Sequence, residues 1–404
     1  MDTKCMDVIK NEDEGLERSE LLLNTMEEKR SYTLGNENSD EESVWSEFPD
    51  HIVEEIFSNL QFEFTLPFRI VCKQWNKLLS SNRFLSSLAE SDPWILLCSS
   101  THCMAYCFLT QSWKTLSLSF LPSRTTKGLS LGDSRFCSSG AGLLLIELGW
   151  PRKYMICNPI TRTYRYIAPV ISHSATLSAI MYDGESYKIV GVTHERNPGS
   201  LQIYHCSKAS CQIELELPLE RRDFPVSHIC CAKGFLMCVS NQGEFVVWNM
   251  KDKQVQRFSF SYPNRYIPGG GINTWTEELV VCVSSILFVR AYQSDSVFTS
   301  FVIVWELFQE EERSIWNWKE MTRMPPDLCR KFFNARSIKM GIFSEYETFI
   351  VGNFLCFRTG YRNTKLFVYS LHGKCWSRIR VPDSVRFRGY NKTFEFQPRP
   401  GMKI

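Results

Sequence analysis

Sixteen cysteines and seven histidines are the side chains best equipped to attack, ligate or oxidise. No two cysteines stand three apart, so the chain lacks the C-x-x-C pair of a zinc knuckle, a RING domain or a redox site. His102, Cys103 and Cys107 come nearest to a ligand set, but they fit one face of a strand and lack further ligands. His194-Glu195 lies among turn residues, without the second histidine of a metalloprotease helix. The glycine run Gly269–Gly271 is followed by no lysine, and no G-x-S-x-G elbow occurs. The expectation is therefore no catalytic residue, no metal and no cofactor. The cysteines read as reduced thiols packed like small hydrophobes.

What remains is the chemistry of contact. One set of apolar side chains comprises Phe48, Pro49, Ile52, Ile56, Leu60, Val71 and Trp75. A second set holds the residue types that anchor protein interfaces. Arg265, Tyr266 and Trp275 lie in the segment 263–275, and Trp316 and Trp318 in the segment 309–318; both segments read as atypical loops. Those aromatics either capture a partner or seal neighbouring sheets.

Three regions must position these groups. Residues 1–44 carry 13 acidic and 5 basic side chains with few apolar ones, a composition expected to stay disordered. Residues 45–90 read as three short helices. Pro49 suits the first turn of one whose apolar stripe is Ile52, Val53, Ile56, Phe57 and Leu60. A second runs from a Thr65 cap past Pro67, burying Phe68, Val71, Cys72, Trp75, Leu78 and Leu79; Asn82 caps a third. So small a core is expected to complete its burial against a partner.

Residues 91–404 turn to short β runs separated by Gly, Pro, Asn and Ser. A repeat organises them. Tyr106 and Trp113 are seven apart, as are Cys157 and Tyr164, Tyr204 and Cys211, Trp248 and Val255, and Tyr369 and Trp376. Each pair brackets a turn. Counting a sixth unit at Trp305, successive first members are 51, 47, 44, 57 and 64 residues apart, the size of four-stranded propeller blades. Six units predict an all-β propeller of six blades over 91–398, with seven possible. The first unit is one strand short, and the alternating run 393–397 is expected to supply it and close the ring.

Charge is uneven. Residues 91–404 hold 37 basic and 25 acidic side chains, against a formal net charge of +2 for the whole chain. Such a body either steers acidic partners towards it or scatters its charge over a large surface. The longest apolar run, 279–289, has 11 residues and two serines, too few to span a bilayer. No signal peptide is read at the N-terminus, so the expectation is a chain of the cytoplasm, the nucleus or both.

The segment FPDHIVEEIFSNL through RIVCKQWNKLLSSNRF, residues 48–84, resembles the F-box, chiefly in Phe48-Pro49-Asp50, the Ile52/Ile56/Leu60 stripe and Arg69-x-Val71-Cys72-Lys73-x-Trp75. Residues 92–398 resemble the kelch-type, F-box-associated propeller of plant F-box proteins, chiefly in Cys157-Asn158-Pro159-Ile160-Thr161 and the Tyr-x6-Trp pairs. The resemblance implies a substrate adaptor of a ubiquitin ligase. The F-box would bind the adaptor Skp1 through Phe48, Pro49, Ile52, Ile56, Leu60, Val71 and Trp75. Skp1 hangs from a cullin that carries a RING protein, and the propeller would hold the target protein. Such a subunit does no chemistry and raises the local concentration of acceptor lysines. Alternatives are a non-degradative scaffold or inhibitor that keeps the F-box, and, more remotely, an enzymatic propeller.

Overall fold

The computed structural model describes residues within 49–84 and 92–399. Residues 1–48, 85–91 and 400–404 fall outside that description, as do connections such as 123–134, 260–272, 334–345 and 383–391. The acidic segment 1–44 therefore lies outside the described residues. The chain forms two compact units, one running to Ser91 and the other spanning Asp92–Pro398.

The first unit is helical. Helix α1 (Asp50–Ser58) starts behind Pro49, whose carbonyl accepts from the N–H groups of Ile52 and Val53 at 3.0 and 3.3 Å. Asp50 in its first turn complements the positive end of the helix. Helix α2 (Lys73–Leu79) is capped by Cys72, whose backbone is extended and whose Sγ accepts from the Trp75 N–H at 3.4 Å. The single helix expected from Thr65 to Leu79 is thus broken. Val71 sits in a turn, its N–H donating to the Phe68 carbonyl at 3.2 Å. Apolar spacing reads alike on a continuous helix and across such a turn, which is why periodicity missed the break. Ser81 caps the next turn, its Oγ accepting from the Phe84 N–H at 3.2 Å, while the expected cap Asn82 lies outside the described residues.

The second unit holds, among its described residues, six antiparallel sheets of four strands. The first combines Lys392–Phe396 with Trp94–Cys98, His102–Cys107 and Ser112–Ser117. The other five each use consecutive strands, within 135–167, 176–218, 226–259, 273–323 and 346–379. The innermost strand of each sheet neighbours those of the sheets on either side, and this succession returns to its start. That arrangement is a β-propeller. Apolar clusters fill the gaps between sheets: Trp94, Leu96, Leu144, Ile146 and Phe396 between the first and second, Val289, Val304, Leu355 and Phe367 between the fifth and sixth. A short helix, α3 (Pro326–Phe332), joins the fifth sheet to the sixth and buries Cys329 and Phe332.

The seven-residue pairs are cross-strand neighbours. Tyr106 stands opposite Trp113, Cys157 opposite Tyr164, Trp248 opposite Val255 and Tyr369 opposite Trp376. The Tyr–Trp rings lie 5.2 and 5.1 Å apart in the first and sixth sheets. Each Trp also reaches the sheet before it. Trp376 Nε1 donates to Thr322 Oγ1 at 3.0 Å, and Trp113 Nε1 to the Arg380 carbonyl at 2.9 Å. The residue after the first member often ties the turn. Asn158 Oδ1 accepts from the Ile160 N–H at 2.9 Å, Asn249 Oδ1 from the Lys251 N–H at 3.0 Å, and Ser370 Oγ from the Gly373 N–H at 2.9 Å. The third sheet departs from the pattern. Its turn lies one residue further along, with Cys206 opposite Cys211 and Tyr204 opposite Ile213, and a register shift between Ile203 and Tyr204 then bends the ladder.

Nine of the described cysteines are free, most of them sealed in strand interiors. Cys375 is disulfide-bonded, which corrects the reading of every cysteine as a reduced thiol. It begins a strand beside a turn and is half-buried.

Candidate docking surfaces

The helical unit sorts its apolar side chains into two directions. Val53, Phe57, Trp75, Leu79 and Phe84 form a closed core, with Leu60, Phe68, Cys72 and Leu78 packed against it. Phe57 meets Trp75 edge-on at 5.0 Å and Phe68 at 5.1 Å. Trp75 is 3% exposed and so belongs to this internal core, where it fixes α2 against α1. Gln74 Nε2 adds a hydrogen bond to Asp50 Oδ1 at 2.8 Å across the two helices.

The remaining side chains point outwards. Ile56 is 46% exposed and Val71 50%, Pro49 is exposed and Ile52 half-buried. On α1, Ile52 and Ile56 stand one turn apart, as do Val53 and Phe57. The two rows are offset by one residue, about 100° around the axis, so α1 is apolar on an inner and an outer face. Burying Ile56 and Val71 on a partner would gain about 1–2 kcal/mol each. Phe48 lies outside the described residues.

The propeller residues singled out from sequence are dispersed. Arg265 and Tyr266 lie outside the described residues. Trp275 is not in a loop but in the innermost strand of the fifth sheet, at a register shift between Thr274 and Thr276. The described residues of the segment 309–318, 309–310 and 315–318, likewise lie in strands. They form the end of a long hairpin, in which Gln309 faces Trp316 and Leu307 faces Trp318. Trp318 is half-buried, its ring 5.6 Å from Phe288, and so seals the fourth sheet against the fifth. Residues 311–314, whose polar composition suggested a loop, lie outside the described residues.

No group of three or more His, Cys, Asp or Glu fit to hold a metal occurs among the described residues. No helix among them is long and apolar enough to cross a membrane.

Comparison with known proteins finds likeness in the helical unit and across most of the chain. The F-box domain family matches residues 45–87. F-box only protein 6 of Arabidopsis thaliana is 22% identical over 358 residues, covering 85% of this chain and 70% of that protein. The F-box/kelch-repeat protein At5g43190 of the same plant is 24% identical over 301 residues, 72% of each chain. A further Arabidopsis F-box/kelch-repeat protein, At3g61590, is 27% identical over 154 residues, 35% of each. Among solved structures, a chain of a nidogen/laminin complex superposes with a TM-score of 0.41 at 10% identity, covering 74% of this chain and 97% of that one. The propeller assignment rests on strand order, not on that superposition.

Proposed function

We propose, for this F-box protein of the plant F-box/kelch kind, the role of substrate-recognition subunit in a Skp1–cullin–F-box ubiquitin ligase. The carrying observation is the outward apolar face of the F-box domain. Ile56 and Val71 are about half exposed, beside Pro49 and Ile52, on a domain whose own core is already closed by Val53, Phe57 and Trp75. An apolar face left over on so small a domain is the mark of a partner surface. Skp1 is the partner that an F-box implies, and through it the cullin and the RING protein. The propeller then holds the target, in the cytoplasm or nucleus. Catalysis lies with the ubiquitin-charged enzyme, while this chain supplies proximity.

Capture of purified Skp1 by the full chain tests the reading. Wild type is expected to retain Skp1, and Ile52→Asp with Ile56→Asp to lose it while the propeller's unfolding transition is kept. Both positions lie on the outer face, so the charge changes spare Val53 and Phe57. Retention of Skp1 at wild-type levels by a folded double variant would overturn the assignment.

A further inference from the structure

The sixth sheet and its flanking segments hold most of the propeller's surplus positive charge. Residues 326–392 carry thirteen Lys and Arg against four Asp and Glu, a balance of +9. The whole of 91–404 stands at +12, so this stretch supplies three quarters of the surplus. One of its four acids, Glu347, is already engaged by Arg358 at 2.9 Å.

Five of the eight described cations of this stretch, Arg330, Lys331, Lys365, Arg378 and Arg380, lie at one corner. Helix α3 ends in Arg330 and Lys331, both exposed. The Lys331 carbonyl accepts from Nζ of Lys365, the first residue of the sheet's third strand. Leu366 stands opposite Ile379 and Phe367 opposite Arg378. With the two-residue period of a strand, Lys365, Arg378 and Arg380 fall on one face. The Arg378 guanidinium lies 6.0 Å from the Phe367 ring. Burial, and then the charge of Arg378, hold the Lys365 ammonium below its usual pKa. Among the described residues, no carboxylate pairs with Arg330, Lys331, Lys365, Arg378 or Arg380.

A helix C-terminus favours nearby cations, which accounts for Arg330, Lys331 and part of the placing of Lys365. It does not account for Arg378 and Arg380, which stand on and just past a strand and add charge where charge is already in excess. Gathered like charges destabilise the fold that holds them and attract an opposite partner. The strand bearing Arg378 is also, among the described residues, the outermost of its sheet.

We propose that this corner is the propeller's docking surface for an acidic segment of the target protein, a run rich in Asp and Glu. The proposal rests on the target-receptor reading above, which makes the partner a protein. Arginine forks at Arg378 and Arg380 suit paired carboxylate oxygens, and the lysines supply the surrounding field.

The test is fluorescence anisotropy of a labelled peptide of alternating Glu and Ser, titrated with the full chain at low and moderate salt. Wild type is expected to bind it, more weakly as salt rises. Lys365→Glu with Arg378→Glu should weaken binding by about tenfold or more. Lys251→Glu, an exposed cation on a turn of the fourth sheet, should change it by less than about twofold. Lys365→Gln with Arg378→Gln should fall between, with an unaltered unfolding transition. The proposal is overturned if wild type ignores the peptide, if the double charge reversal binds like wild type, or if a single-stranded RNA of equal charge binds more tightly. Skp1 capture by the same preparations keeps the two readings apart. A failed peptide titration with Skp1 still captured sinks only the acidic-segment inference, and failed capture sinks the receptor role.

Discussion

Trp94 and Phe396 stand opposite each other across the inner ladder of the first sheet, ring centroids 6.2 Å apart, and solvent reaches neither. The pair joins the first strand of the propeller to its last. Around it lie Leu96, Leu144 and Ile146, so the same side chains also bind the first sheet to the second. Glu395, between Phe394 and Phe396, accepts from the Gly352 N–H at 2.9 Å and ties the strand to the sixth sheet. Phe396→Ala should therefore destabilise the propeller by about 3–5 kcal/mol, the usual cost of emptying a buried aromatic site. Removal of everything after Pro382 should lower the unfolding transition of the whole ring, since it bares the inner edge of the first sheet. Urea unfolding followed by tryptophan fluorescence and circular dichroism reads both. A truncated chain that keeps its main transition and loses only a small early phase would show that the ring does not depend on this strand.

Local periodicity carried much of this fold and little of its surface. The seven-residue spacing is visible in sequence because a tight turn fixes the separation of two facing residues, as with Tyr106 and Trp113. It failed at Tyr204, where the turn lies one residue further along, so that the facing pair seven apart is His205 and Gln212. On α1 the spacing of Ile52, Val53, Ile56 and Phe57 announced a helix but could not separate inner from outer row, since neighbouring residues differ by about 100°. Burial separates them, with Val53 and Phe57 inside and Ile56 outside. Trp318 was misplaced because the nearby residues 310–314 have loop-like composition. The basic corner was hidden for another reason. Lys331, Lys365 and Arg378 come from a helix and two strands, and only the density of Lys and Arg across 326–392 signalled it.

Three of the hairpins place a side-chain-bearing residue in left-handed backbone. Gln111, Arg162 and Lys374 have φ of 48°, 59° and 52°, each two positions before the second member of its seven-residue pair. The turn demands this. Lys374 donates its N–H to the Ser370 carbonyl at 2.9 Å, and Arg162 makes the same bond to Asn158. A Cβ in that region crowds the backbone, a strain that glycine lacks, although glycine gives up more freedom on folding. Lys374→Gly should on balance stabilise the propeller by about 0.5–1 kcal/mol, and Lys374→Val should destabilise it, branching being least tolerated there. Thermal melts of the two variants should move in opposite directions from wild type. Equal shifts of one sign would mean that the backbone of this turn does not limit stability.

Glu278 gives the propeller a pH dependence of predictable sign. Its side chain lies between the innermost strands of the fifth and sixth sheets, where the Thr348 N–H donates to Oε2 at 2.6 Å and the Thr348 hydroxyl donates to the same oxygen. Burial pushes its pKa up to about 7, against 4.5 for an ordinary glutamate. The Thr348 hydrogen bonds oppose that shift, Glu347 adds to it and Lys392 subtracts. The folded state thus holds a proton that the unfolded chain has already released. Its stabilising effect is full below about pH 4.5 and is lost as pH rises through about 7. Glu395 has a pKa raised in the same direction by burial, so wild type should melt at lower temperature at pH 8 than near pH 6. Glu278→Gln keeps an oxygen to accept from Thr348 and cannot ionise. It should leave stability near pH 5 little changed, raise it at pH 8, and leave only the smaller slope due to Glu395. Melting temperatures of both proteins across that range are the measurement. A glutamine variant whose melting temperature follows pH as steeply as wild type would place the titrating group elsewhere.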